Sequence, residues 1–217
     1  MINLCLGLIA TNEEPMLSRF LPDLSKAFKG DVVAIDYGSI DKTNEIFNKH
    51  SKVAIKRDWP NDFGKAKTEL CKLAEDSGYD WLFLIDADET IDLTLVDKIK
   101  QCIEENPYDV YYMPRFSYVS PGVIDGSIGN YPDLQARLFK LNVGYHYRNI
   151  RHCILCKGDD TACAWELNYG AVIPVTIMHF KGYKGAEERL KADADRKSWL
   201  GDKTNAVLET TDRPLIW

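Results

Sequence analysis

The chain has 217 residues, 45% of them apolar and 28% charged, proportions of a globular protein that exclude a disordered or fibrous one. Lysine plus arginine number 27 against 33 aspartates and glutamates, a net charge of −6, which excludes a chain devoted to coating nucleic acid, where affinity comes from clustered cations. This length suits one large domain that buries its own core.

The opening apolar run, Leu4–Ala10, lacks a basic leader region and a small-x-small cleavage site and passes straight into Asn12-Glu13-Glu14. It is therefore expected to be a first buried strand, in a cytoplasmic protein, and no run is long enough to span a bilayer. Pro15 suits a first helical turn, and Leu17, Phe20, Leu21 and Leu24 follow at helical spacing, with Pro22 inside the stretch as a possible bend. Residues 31–36 form a second strand, after which Asp41 is placed to cap a helix through Phe47. Residues 53–55 give a third strand. Asn61 or Asp62 then caps a helix with Phe63, Ala66, Leu70, Leu73 and Ala74 on one side. Residues 81–85 are a fully apolar strand that ends on Asp86-Ala87-Asp88-Glu89, and a helix carrying Leu95, Val96, Ile99 and Ile103 follows Asp92. Strands alternating with helices predict βαβ units and a mainly parallel sheet.

Beyond Asn106-Pro107 the pattern changes. Residues 110–118 are aromatic and strand-like, and a Gly/Pro-rich span follows around Pro121, Gly122, Gly126 and Gly129. Further strands are expected at 134–141, 145–148 and 172–180, the last interrupted by Pro174, with a closing helix over 185–200. No internal repeat or linker separates the halves. The six cysteines (Cys5, Cys71, Cys102, Cys153, Cys156 and Cys163) are expected as reduced thiols. Cys153-x-x-Cys156, with His152 beside it and Cys163 downstream, has zinc-ligand spacing, but one such pair leaves zinc and plain burial both open.

In open parallel sheets, ligands bind beyond the carboxyl ends of the strands. Asp86-x-Asp88 lies at such an end, and two carboxylates there can hold a Mg2+- or Mn2+-type cation that bridges a diphosphate and stabilises its departure. A bare D-x-D motif is equally an acidic loop that caps the next helix. Asp36 and Thr11 to Glu13 end neighbouring strands on the same rim, Asp36 either receiving a hydrogen bond from a base or ribose or stabilising its own turn. Lys65 or Lys67, at a helix N-terminus, can meet a phosphate, although exposed helical lysines are common. Tyr111, Tyr112, Phe116 and Tyr118, with Trp59 and Tyr131, are expected in the core more than on a sugar- or base-stacking face.

The segments LCLGLIATNEE, VVAIDYGSIDKTNEI, WPNDFGKAKTEL and DWLFLIDADE, in that order, resemble the donor-binding half of family-2 glycosyltransferases of the GT-A fold. The run from Tyr131-Pro132-Asp133 to Arg137-Leu138-Phe139, and Met178-His179-Phe180 followed by Gly182-Tyr183, are similar to segments of the bacterial lipopolysaccharide-core subgroup. The resemblance covers about residues 2 to 200. It implies an α/β fold: a single GT-A-like domain over 1–217, with a mainly parallel nucleotide-sugar-binding half to about 106 and a less regular, mixed-strand acceptor half over 107–200.

The implied activity is metal-dependent, inverting transfer of a sugar from a nucleotide-diphosphate sugar to a hydroxyl. That hydroxyl could belong to a glycan, a lipid-linked glycan, a peptide, a small molecule or a modified nucleic-acid base. By resemblance, Thr11 and Glu13 bind the nucleoside and Asp36 its base. Lys67, where the subgroup usually has arginine, lies near the diphosphate. Asp86 meets the ribose or the metal, and Asp88 and His179 hold a divalent cation, Mn2+ or Mg2+. Asp133 is the candidate general base or, alternatively, a residue that only binds sugar.

There are departures from the subgroup. Residues 150–153 lack its usual glutamate, Tyr37 replaces a small or acidic residue, and the chain stops soon after the expected closing helix. A non-catalytic nucleotide-sugar or glycan-binding relative is therefore the alternative. A nucleotidyltransferase is less favoured, because Thr11 to Pro15 carry no glycine-rich basic loop.

Overall fold

A computed structural model describes residues 2–120, 123–124, 133–149, 153–158 and 170–180. In chain order the elements begin β1 (Leu4–Ala10), α1 (Glu14–Ala27), β2 (Val32–Asp36), α2 (Thr43–His50), β3 (Val53–Lys56), α3 (Phe63–Asp76) and β4 (Trp81–Leu84). The two-residue β5 (Glu89–Thr90) comes next, then a 3-10 turn at Leu93–Leu95 that runs into α4 (Val96–Glu105). The long β6 (Val110–Ser120) is followed by β7 (Val123–Ile124), β8 (Asp133–Lys140), β9 (Tyr145–Arg148), β10 (Ile154–Lys157), β11 (Gly170–Val172) and β12 (Ile177–His179).

The main sheet has the order β3-β2-β1-β4-β8-β6-β12-β5. Its first four strands are parallel. β8 then runs antiparallel to both β4 and β6, so the sheet is mixed beyond the alternating half. Alternation of side chains along β1 explains why both faces of this sheet are covered. Leu4, Leu6, Leu8 and Ala10 join Leu17, Phe20, Leu21 and Leu24 of α1 and Ile99 and Ile103 of α4 in one core. Cys5 and Ile9 join Ala66, Leu70, Cys71 and Ala74 of α3 in the other. Between them Gly7 lies beneath α3, where a Cβ would come within 2.5 Å of Leu82 Cδ1 and 3.1 Å of Leu70 Cδ2.

Helix α1 runs unbroken through Pro22. An interior proline costs roughly 3 kcal/mol, offset here by complete burial of the apolar face of Leu17, Leu21 and Leu24. The run expected as one strand over 172–180 is two, β11 and β12, both parallel to β6 and divided at Pro174, which has no N–H to give to a ladder. Of the aromatics, Tyr111, Tyr112, Phe116 and Tyr118 are buried core, as the sequence favoured. The expected closing helix over 185–200, together with Tyr131, Pro132, His152, Cys163, Gly182 and Tyr183, lies outside the described residues. No helix among the described residues is long and apolar enough to cross a membrane.

Candidate active site

The parallel strands end on one rim. Asp36, the last residue of β2, is fully buried, and its Oδ1 accepts the Ser39 amide at 3.0 Å, the local turn bond that an aspartate at a strand end makes readily. The loop after β1 is tied to the same turn: the Thr11 hydroxyl donates to Tyr37 O at 3.0 Å, the Asn12 amide to Ser39 Oγ at 2.9 Å and the Glu13 amide to Thr43 Oγ1 at 2.8 Å. Asn12 takes a left-handed conformation (φ 55°), which asparagine accepts more readily than most residues. In front of this rim opens a cavity of about 1000 Å³.

Of the eight residues given a donor, metal or base role by the resemblance, six line that cavity: Thr11, Glu13, Lys67, Asp86, Asp88 and Asp133. The other two do not. Asp36 lies behind it, with Oδ2 3.9 Å from Lys56 Nζ and no hydrogen-bond partner. His179 is held against the cavity wall through Asp88, its Nε2 at 3.2 Å from Asp88 Oδ2 and its Nδ1 at 2.9 Å from Ser117 Oγ. That arrangement follows from the ladders, because β12 is sandwiched between β5 and β6 with His179 opposite both Glu89 and Ser117.

Asp86 is saturated by cations. Its Oδ1 lies 3.2 Å from Lys67 Nζ and its Oδ2 accepts from Arg137 at 2.8 Å. Burial alone would raise its pKa, but Arg137 and Lys67 more than reverse that and hold the carboxyl far below the ordinary carboxylate range. Glu89, fully buried beneath it, accepts from Arg137 at 2.7 Å and from the Asp86 amide at 2.9 Å. Desolvation outweighs Arg137 there and pushes the Glu89 pKa up. Arg137 has its own pKa raised by Asp86 and Glu89 against the opposing effect of burial. The Glu13 pKa is raised, first by burial and then by the negative charges of Asp88 and Asp41.

Lys67 reaches this cluster because Asp62 starts α3 at the right place, its carboxylate accepting the Lys65 amide at 3.0 Å. Lys65, the other lysine considered, is not among the cavity residues. Opposite the charges stands an aromatic wall. Tyr37 and Trp59 meet edge to face at 5.4 Å, and Trp59 and Phe63 at 4.7 Å. The Tyr37 hydroxyl donates to Glu69 at 2.8 Å, so the residue that departs from the subgroup pattern is fixed.

Arg115, Gln135, Arg137 and Glu89 have no role assigned to them from the sequence, although Arg137 and Glu89 stand in the segments that carry the resemblance. Asp133, Gln135 and Arg137 line the cavity at every second position of β8, a period-2 polar face that was visible in the sequence. Arg115 becomes apparent only from the register that sets it opposite Asp133.

Cys153 also lines the cavity and donates to Asn149 O at 3.4 Å, while Cys156 is buried in the β9–β10 hairpin. His152 and Cys163, needed for a zinc set, lie outside the described residues. Among the described residues no three His, Cys, Asp or Glu side chains converge on one metal position.

A family model described as "Glycosyl transferase family 2" matches residues 5–157. No curated protein matches the chain significantly. Among solved structures, S. aureus TarS 1-349 is similar at 15% identity over 64% of this chain and 47% of that one, with a TM-score of 0.49. The same protein in complex with UDP-GlcNAc is 20% identical over 59% and 39%, with a TM-score of 0.47. Glucosyl-3-phosphoglycerate synthase from Mycobacterium tuberculosis, in complex with Mn2+, UDP and glucosyl-3-phosphoglycerate, is 16% identical over 54% and 44%, with a TM-score of 0.40. The chain thus spans less than half the length of each of these structures.

Proposed function

The chain belongs to glycosyl transferase family 2, and from that premise we propose that it transfers a sugar from a nucleotide-diphosphate sugar to an acceptor hydroxyl with inversion at the anomeric carbon. The observation that carries this reading is the single cavity that combines an aromatic wall, Lys67, the Asp86–Asp88 turn and Asp133. The order of the motifs in the second half further supports the lipopolysaccharide-core type of family member.

A donor fits this cavity with its base against Trp59 and Phe63, its ribose towards Thr11 and Glu13, and its diphosphate towards Lys67. Asp36, fully buried behind this cavity, would act on the base through the turn that its Oδ1 holds at the Ser39 amide. The charges around the diphosphate position are already balanced, Lys67, Arg115 and Arg137 being answered by Asp86, Glu89 and Asp133. A doubly charged diphosphate therefore calls for additional positive charge. Asp88 and His179, side by side at the wall, are the donor set left for a divalent cation, with remaining positions open to water and phosphate oxygens. A bound Mn2+ or Mg2+ would supply Lewis-acid stabilisation of the departing diphosphate.

In this reading Asp86 orders Lys67 and Arg137 and contacts the ribose side of the donor, and Asp133 accepts the proton of the acceptor hydroxyl. Asp88→Asn tests it: turnover of nucleotide-sugar is expected to fall by about 10²-fold or more with the thermal midpoint nearly unchanged. Undiminished turnover in that variant overturns the cation role.

A further inference from the structure

Arg115 is so far only one of the charges that balance the cavity, yet its surroundings are specific. It faces Asp133 directly across the β6–β8 ladder and donates from one terminal nitrogen to Asp133 Oδ2. Its other terminal nitrogen lies 3.5 Å from Glu89 Oε1. Glu89 is immobilised in turn, fully buried between the Arg137 guanidinium and the Asp86 amide. One oxygen of Asp133 is therefore pinned to a guanidinium that is itself anchored in the protein interior. The second oxygen, Oδ1, has no partner among the described residues, and Asp133 is part of the cavity wall. A carboxylate held at one oxygen in this way cannot swing, and it offers a fixed lone pair to whatever enters the cavity.

We propose that Arg115 is a positioning residue for sugar transfer, anchored on Glu89 and fixing the Asp133 carboxylate so that its free oxygen faces the acceptor hydroxyl. This inference rests on the reading of Asp133 as general base. In the step it serves, the acceptor oxygen bonds to the anomeric carbon and its proton passes to Asp133 Oδ1. The bond from that carbon to phosphate breaks, and its electron pair leaves on the diphosphate. Arg115 takes no part in the proton transfer itself. A lysine could not span both carboxylates with one planar fork, so the guanidinium geometry matters as well as the charge.

The test is a double-mutant cycle read by nucleoside-diphosphate release from UDP-glucose, UDP-N-acetylglucosamine and GDP-mannose with Mn2+ and water as acceptor. R115M is expected to lower kcat about a hundredfold with the donor KM held within about twofold. Asp133→Asn is expected to lower kcat by about 10²- to 10⁴-fold. The combined variant should be no slower than Asp133→Asn, because a positioning residue has nothing left to position. R115K should recover part of the loss.

Multiplying losses in the double variant, or a raised donor KM at unchanged kcat in R115M, overturns the positioning role while leaving the base intact. Full activity in Asp133→Asn removes the base, and this inference with it. A wild-type chain that releases no nucleotide from any of these donors overturns the transferase reading itself. Should R115M lose its cooperative melt, R115K with and without Asp133→Asn yields the same cycle.

Discussion

Glu89 illustrates how differently ion pairs act in this molecule according to where they sit. It has no exposure and bridges the Arg137 and Arg115 guanidinium groups, so its removal leaves buried positive charge uncompensated. Glu89→Ala is expected to cost about 3–5 kcal/mol in urea unfolding. Arg57→Ala, which breaks an exposed pair with Glu69, is expected to cost about 1 kcal/mol or less. The thiols offer a second contrast. Burial pushes the Cys5 and Cys71 pKa values well up and raises that of Cys153 too, but Cys153 alone of the three is only half-buried and lines the cavity. Among the described cysteines, Cys153 should therefore react first with a thiol reagent, and nucleotide binding should slow that reaction. Lys67, Asp86 and Asp88 could be found from sequence because each closes a strand or opens a helix on a predictable rim. Arg115 and Glu89 could not, because their roles depend on which strands become neighbours.

At the scale of elements, a single carboxylate organises two helix starts. Asp41 accepts the Glu14 amide of α1 at 3.0 Å through Oδ2 and the Thr43 amide of α2 at 2.9 Å through Oδ1. Its partial desolvation is outweighed by these hydrogen bonds, which hold its pKa below the ordinary value. A depressed folded-state pKa contributes stability that is present above the unfolded value near 4 and is lost as pH falls through the folded value. Asp41→Ala should thus cost about 1–2 kcal/mol at neutral pH, and the gap from wild type should narrow below about pH 4. Urea titrations at both pH values check the sign. Helix α3 is set against the β9–β10 hairpin through Gly64, whose N–H donates to Asn149 O at 3.2 Å and where a Cβ would lie 2.9 Å from that backbone oxygen. Gly64→Ala should cost about 1–3 kcal/mol by forcing backbone apart, and should also weaken nucleotide binding, because Lys67 rides on the same helix turn. Asp62 was one of two caps that spacing offered, with Asn61, whereas Asp41, expected as the N-cap of α2, stands one residue before it, the N-cap being Lys42. The hairpin that makes Gly64 necessary was not evident from spacing, since β10 follows a segment with no periodicity to announce it.

Across the whole molecule, the alternating half and the mixed half differ in how far sequence could carry the description. Helical and strand periods placed the four parallel strands and four helices from β1 to α4, but not the two-residue β5, because the helices there bury one face and the strands both. The central place of antiparallel β8 depends on a distant pairing with β4 and β6, which local pattern does not encode. Yet this strand is what brings Asp133 and Arg137 to the rim built by the parallel half. The cavity is a joint product of both halves, so occupancy by a nucleotide should stabilise the fold as a unit. The most direct measurement is the thermal midpoint of the wild-type chain and of Asp88→Asn across a panel of nucleotide-sugars, each with and without Mn2+. The account predicts a rise in the wild type that requires a nucleotide-sugar and Mn2+ together, and that Asp88→Asn abolishes. No rise with any donor, or the same rise in both proteins, would contradict it.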